Sequence, residues 1–202
     1  MISQAELDRV TEAIRAAEAR TAGEIFCVIA YASGGYALVP VAWAALLALL
    51  VPLPLIYLTS LPAGTIYLIQ LVVFLAVFAL LSLPGVRYRM VPRKALHKRA
   101  HAEAQRQFLA HGMHLTKERT GVLIFASVCE HYAEIVADEG INGKVSNKVW
   151  EDAIAAMTSA IGDGRLGDGF VAAIDRCGAV LAEHFPPGTI NKNELPNKLV
   201  VI

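Results

Sequence analysis

The feature that most constrains this sequence is a long internal stretch, Ile25–Val86, without a single Asp, Glu, Lys or Arg. A membrane helix needs about 20 mainly apolar residues to cross the hydrocarbon, so the stretch can hold two such helices. We expect them at Tyr36–Tyr57 and Thr65–Leu83, as a transmembrane hairpin over residues 36–84. The alternative is a buried hairpin in a soluble core, but a chain of 202 residues could hardly cover two such helices.

The segments on either side of the hairpin have the patterns of a water-soluble domain. Ser3 and Glu6 have the spacing of a capping box, which starts an amphipathic helix that reaches about Arg20. Glu24–Ala30 is a mostly apolar run of strand length, as expected for a strand buried on both faces. After the hairpin, the pattern predicts helices at about 95–110, 149–161 and 168–184, and a pair of strands at 121–126 and 132–137.

An isolated strand at Glu24–Ala30 cannot satisfy its own backbone groups. We therefore expect it to pair with the strand that contains Val122–Phe125, although nearly a hundred residues separate them. This pairing requires both flanks on one side of the membrane, which an even number of crossings provides. The sequence thus predicts three strands in one domain that the hairpin interrupts.

The net charge of zero conceals a separation of charge along the chain. Just after the hairpin lies a basic collar without an acid: Arg87, Arg89, Arg93, Lys94, Lys98 and Arg99. Bases near the end of a membrane helix stay in the cytoplasm, so we expect a multi-pass protein of the cell (inner) membrane with Met1 and Ile202 both cytoplasmic. The expected contact of the collar is the bilayer with its anionic headgroups, and we expect no nucleic acid as a partner.

Several segments together resemble the TPM domain family. Leu7–Ala30 is similar to that family's helix and first strand, and Arg119–Phe125 with Tyr132–Asp138 is similar to its Gly-Val-Leu strand and the strand that follows. Trp150 and the final helix, with Gly169 near its start, match the remaining helices. The resemblance implies an α/β sandwich, a small mixed sheet with helices on both faces, here interrupted by the transmembrane hairpin.

This resemblance divides the chain into two parts of one cytoplasmic domain, residues 1–33 and 87–188, around the hairpin at 36–84. An Asn/Lys-rich tail at 189–202 follows. Some members of the family bind calcium or act as acid phosphatases. Relatives often carry Asp-Asn before the Gly-Val-Leu strand, where this chain has Arg119 and Thr120, and that difference places a metal site and phosphatase activity in doubt.

Four acidic residues are the candidate metal ligands: Asp138, Glu139, Asp163 and Asp168. Their oxygens suit a hard cation such as Ca²⁺ if they converge, although their spacing is not that of an EF-hand. The alternative is that Asp163 and Asp168 serve as turn and helix-cap residues. We expect no bound cofactor, with calcium as the one candidate.

Other chemistry-bearing residues lack the spacing of a known site. His97, His101, His111 and His114 lie close in sequence but include no metal-binding motif, and we interpret them as a solvated or lipid-facing surface. Ser127, Cys129 and His131 lack a nucleophile elbow, so we expect no catalytic residues. The cysteines are too widely spaced for a disulfide framework and are read as small core residues.

The sequence therefore favours a non-catalytic interaction or assembly module, tethered at the cytoplasmic face of a membrane and binding a membrane-protein partner. The alternative is a metal-dependent, calcium-type phosphohydrolase, as the resemblance implies for some relatives. Convergence of Asp138, Asp163 and Asp168 on one point, at about 2.3–2.6 Å for calcium, would favour the enzyme.

Overall fold

Two compact units make up the chain: one consists of Met1–Ser33 with His97–Ile202, and the other of Gly34–Leu96. The computed structural model describes residues 2–116, 118–145, 147–187 and 194–202. The strands are β1 (Glu24–Ala30), β2 (Gly121–Ser127), β3 (Tyr132–Ala137) and β4 (Leu199–Val201). The helices are α1 (Gln4–Glu18), α2 (Leu38–Leu50), α3 (Pro52–Leu58), α4 (Ala63–Ser82), α5 (Pro84–Arg87), α6 (Arg93–Ala110), α7 (Glu139–Asn142), α8 (Asn147–Gly162) and α9 (Leu166–His184).

The first unit is built on a four-stranded mixed sheet in the order β3-β2-β1-β4. Strands β1 and β2 run parallel in continuous register, from Glu24 opposite Gly121 to Ala30 opposite Ser127. Strand β3 lies antiparallel to β2, as the predicted hairpin requires. Every residue of β1 and β2 is buried, which explains their unbroken apolar sequences. The predicted pairing across the insertion is confirmed.

Helices cover both faces of the sheet, because alternate residues of β1 point to opposite sides. On one face, Ile25, Cys27 and Ile29 join a core formed with α1, α8 and α9. On the other face, Phe26 and Val28 pack against the apolar side of α6. The predicted α/β sandwich is therefore correct. Two of the cysteines, Cys27 and Cys177, are buried core residues, and Cys129 is half-buried.

The sequence pattern predicted three strands, and the structure contains a fourth within the predicted tail. Strand β4 extends the sheet parallel to β1, with Val200 opposite Val28. Two buried carboxylates hold the segment that leads into it. Glu18 accepts a hydrogen bond from the Asn197 side chain, and Glu24 accepts bonds from the backbone N–H groups of residues 194 and 195, both at 3.2 Å. Three residues of strand are too short a pattern to recognise in sequence.

These two carboxylates make the stability of the domain depend on pH. Burial raises the pKa of Glu18 from an ordinary value of 4.5 to about 7 and also raises the pKa of Glu24. The folded state keeps a proton that the unfolded state releases between pH 4.5 and 7, so the contribution of Glu18 to the free energy of unfolding is fully present below pH 4.5 and is lost as the pH rises to about 7. For Glu18 alone the change is on the order of 3 kcal/mol.

We therefore expect Glu18→Gln to reduce this pH dependence, because a neutral amide still accepts the backbone N–H of Ile25 now held at 2.9 Å. The measurement is denaturant unfolding at pH 5 and pH 8. The exposed Glu12, whose side chain is 77% accessible, provides the matched control Glu12→Gln, which should behave like wild type. If the free energy of unfolding changed equally between pH 5 and pH 8 in wild type and Glu18→Gln, Glu18 would not be the source of the pH dependence.

The second unit contains the apolar helices. Two stretches, Leu38–Leu58 and Ala63–Ser82, are long and apolar enough to cross a membrane. Only 17% of the first is buried within the chain, and none of the second. The first stretch is divided at Val51, where α3 begins with Pro52, a residue that cannot donate the backbone hydrogen bond of a continuous helix. Helix α2 packs along α4 and buries Ala44 and Ala48.

Candidate functional site

Asp138 and Glu139, the first pair of candidate ligands, lie where β3 ends and α7 begins. Asp138 is the N-cap of α7, and its Oδ1 accepts the backbone N–H of Glu139 at 2.7 Å. Its side chain is only 5% accessible, and its Oδ2 lies 3.1 Å from Nε of Arg119. Glu139 is 90% accessible and lies 3.6 Å from the same guanidinium. The pair is thus brought together around an arginine.

Arg119 occupies an unusual backbone position that aims its side chain at Asp138. Its φ is +57°, a left-handed conformation that non-glycine residues rarely adopt. Its Nη1 donates to the backbone carbonyl of His114 at 2.8 Å, which fixes the guanidinium beside the carboxylate. A cation therefore offsets the charge of the buried carboxylate here.

Asp163 and Asp168, the second pair, lie around the start of α9. Nη2 of Arg165 is 2.8 Å from Asp163, and its Nη1 is 3.8 Å from Asp168. Arg9 in α1 also lies 3.0 Å from Asp168. The predicted helix cap is corrected: Arg165 is the N-cap of α9, and Asp168 lies in the first turn, where the helix dipole favours an acid.

The four candidate ligands thus form two separate arginine-linked pairs. Among the described residues, no group of three or more His, Cys, Asp or Glu side chains is placed to hold a metal ion. In each pair, both carboxylates lie within ion-pair distance of one guanidinium. Calcium binding stays the untested alternative, and this geometry gives the four side chains no shared coordination point.

Five of the six bases of the collar are exposed. The sixth, Arg87, is half-buried and lies against Tyr88, with Nη2 3.3 Å from the hydroxyl and the guanidinium carbon 5.2 Å from the ring centre. Arg93 and Lys94 form the first turn of α6, which continues through Lys98 and Arg99. The helix thereby presents a dense positive charge to solvent directly after the apolar unit.

The histidines do not act as one group. His101 binds Glu134 of β3 through Nδ1 at 2.8 Å, and that carboxylate also accepts the hydroxyl of Tyr132 at 3.0 Å. The ring of His97 lies 5.2 Å from that of Tyr132. The rings of His111 and Phe26 are in tilted contact with their centres 4.4 Å apart, and burial lowers the pKa of His111. The contacts of His97 and His101 hold α6 against β3, whereas His111 follows the end of α6 and packs on β1.

A buried polar cluster that sequence reasoning missed lies at the carboxyl ends of β1 and β2. The hydroxyl of Ser127 donates to Glu130 and lies 2.9 Å from the hydroxyl of Ser33, whose backbone N–H also donates to Glu130 at 2.9 Å. Ser127 and Glu130 are 0% and 3% accessible. The cluster joins the exit of β1 to the β2–β3 turn. No sequence spacing could have revealed it, since its members lie 94 and 97 residues apart.

An open groove of about 510 Å³ lies between α1 and α9. Its floor is apolar and its rim carries one base and three acids; the lining residues are Arg9, Glu12, Ala13, Ala16, Asp168, Val171, Ala172 and Asp175. The groove is far more open than an enclosed active site. It presents a surface of small side chains edged with negative charge.

Comparisons with known proteins agree with this architecture. The sequence pattern of the TPM domain matches residues 84–180. The solution NMR structure of BA42 protein from the psychrophilic bacterium Bizionia argentinensis superposes with a TM-score of 0.62 at 22% sequence identity. That superposition covers 100% of this chain and 96% of BA42, and at this identity it describes the fold alone. No curated protein matches the sequence. The segment that the family model matches, residues 84–180, is thus similar to the TPM domain family.

Proposed function

We propose that this protein is a TPM domain tethered to a membrane by a helical hairpin and acting there as a non-catalytic interaction or assembly module. The observation that carries the proposal is the pairing of β1 with β2. Strand β1 precedes the two apolar helices in the sequence and β2 follows them, yet the two strands lie side by side in one sheet. Two crossings return the chain to the side from which it left, as this sheet requires.

The surface of the apolar helices supports the tether. Leucine, valine and aromatic side chains of α2, α3 and α4 are exposed, including Leu49 at 66% and Tyr67 at 65%. In water, apolar surface of this extent would be costly, whereas lipid covers it without cost. The collar follows directly, and Lys and Arg at this place favour the cytoplasmic side of the inner membrane. Both ends of the chain would then be cytoplasmic.

The non-catalytic assignment is supported by the pairing of the candidate acids. Asp138 is held by Arg119, and Asp163 and Asp168 by Arg165 and Arg9. A carboxylate engaged in this way is less available for proton transfer or for a cation. The exposed bases of the collar suit anionic headgroups, and the open groove between α1 and α9 suits a protein surface.

Localisation and capture test this proposal together. We expect the protein to stay with membranes after extraction at alkaline pH, and a reporter that works only in the cytoplasm to be active at either end. Purification in gentle detergent should retain a membrane-protein partner. Release at alkaline pH would refute the tether. Calcium-dependent hydrolysis of a phosphate ester that Asp138→Asn abolishes would favour the phosphohydrolase.

The collar yields a prediction of its own. Replacing Arg87, Arg89, Arg93 and Lys94 by Gln should produce a mixture of orientations and reduce the anionic lipid that co-purifies, because each base near the surface contributes about 1 kcal/mol. Orientation is measured with compartment-specific reporters. The control converts the three arginines to Lys, which preserves the charge and should preserve both properties. An unchanged orientation in the Gln variant would show that folding of the domain sets the topology.

A further inference from the structure

A groove with a volume of about 280 Å³ runs along the line where α2 and α4 meet. Its lining comes from one stripe of each helix: Ala45, Ala48 and Leu49 from α2, and Tyr67, Gln70, Leu71 and Phe74 from α4. Both sets recur at steps of three and four residues, so each is a continuous helix face. Within this lining, Gln70 places an amide side chain among apolar and aromatic ones.

Gln70 is the residue that distinguishes this groove. Seven residues after Ala63, it lies about 10 Å into α4, inside a hydrocarbon layer of about 30 Å. Within the described part of the chain, its side-chain amide has no hydrogen-bond partner. An unpaired amide is costly in lipid, and polar residues within membrane helices commonly mark contacts between helices.

We propose that this groove is the interface through which two copies of the chain associate within the membrane. The inference rests on the proposed membrane insertion. A Gln side chain donates through its NH₂ and accepts through its carbonyl, so two Gln70 amides facing each other across a two-fold axis satisfy one another. Ala45, which is half-buried, carries one of the smallest side chains of the groove, which lets a second helix approach closely. A second copy of the chain is therefore the partner that we propose for this groove, because it brings a matching Gln70 amide.

Energy transfer between copies tests the interface. Two populations of the full chain, with donor and acceptor fluorophores fused at the N-terminus, are reconstituted together in phosphatidylcholine vesicles at decreasing protein-to-lipid ratios. Wild type should show transfer above that of randomly placed monomers. Gln70→Leu should weaken the association about three- to twentyfold, the range found for hydrogen bonds between membrane helices. Gln70→Asn, which keeps the amide, should retain most of the association.

A matched control moves the amide to the other side of the same helix. Leu68 is 60% exposed and lies two residues earlier, which places it nearly opposite Gln70 at almost the same depth. The double variant Leu68→Gln, Gln70→Leu should remain as weak as Gln70→Leu. Restored association in this double variant would overturn the proposed interface, since any amide at that depth would then suffice.

Measuring membrane retention together with energy transfer distinguishes a failure of the dimer interface from a failure of the proposed membrane tether. Retention of each variant in membranes at alkaline pH is measured first. Monomeric wild type that stays in the membrane would overturn the dimer interface alone, and so would wild type and Gln70→Leu with equal transfer. Release of wild type from the membrane would overturn both proposals.

Discussion

Val28→Asp should unfold the whole sheet domain, including the strands that follow the apolar helices. Val28 is completely buried in β1, where it lies opposite Phe125 of β2 and Val200 of β4. A carboxylate at this point would have no cation to pair with among the apolar side chains of its core cluster, and burying an unpaired charge costs several kcal/mol. We expect a loss of at least about 4 kcal/mol, comparable with the entire stability of many domains.

Hydrogen exchange read by mass spectrometry measures this effect strand by strand. In Val28→Asp, the amides of β2 and β3 should lose protection together with those of β1. Val201 provides the control, because it lies in the same sheet but is 56% exposed. Val201→Asp should cost less than about 1 kcal/mol. A fragment from His97 onward that retained native protection without residues 1–33 would show that the two parts fold independently and would contradict the prediction.

Removing the apolar unit should convert the protein into a soluble one with its sheet intact. The proposed variant replaces residues 34–92 with a flexible Gly/Ser linker and keeps α6 whole. Among the described residues, the side chains that form the cores on both faces of the sheet all lie outside residues 34–92. The cost of closing a loop grows by only about 0.6 kcal/mol for each doubling of its length, so a linker is an adequate replacement.

We expect the variant to be recovered in the soluble fraction and to unfold in one cooperative transition. Combining the linker with Val28→Asp should abolish that transition, which confirms that the linker variant holds the native pairing. If the linker variant stayed with membranes after alkaline extraction, the hairpin would not be the tether. An aggregated or non-cooperative product would mean that residues 34–92 stabilise the sheet domain directly.

The features that could be predicted from sequence are those governed by local pattern. The uncharged stretch indicated two apolar helices, and the structure places them within a few residues of the expected ends. The continuous apolar run at Glu24–Ala30 indicated a strand buried on both faces, and the need of its backbone for partners indicated β2. The positions of the apolar helices and of β1 thus follow from the residue types of consecutive positions in the sequence.

The features that could not be predicted depend on side chains that only the fold brings together. Arg119 faces Asp138 because β2 and β3 pair and because its own backbone adopts a positive φ, neither of which has a local signature. Strand β4 depends on carboxylates supplied by α1 and β1, far away in the chain. The candidate metal ligands were identified by residue type alone, and the fold instead places them in ion pairs with arginines.

The parallel pairing of β1 with β2 also orders events during synthesis. Strand β1 leaves the ribosome nearly a hundred residues before its partner, which at 5–20 residues per second is an interval of about 5–20 s. Throughout this interval both edges of an apolar strand are open to other chains. The two apolar helices are translated within the same interval. On the proposed insertion of these helices into a membrane, slow delivery would prolong the exposure of β1, and a targeting defect would appear first as aggregation of nascent chains.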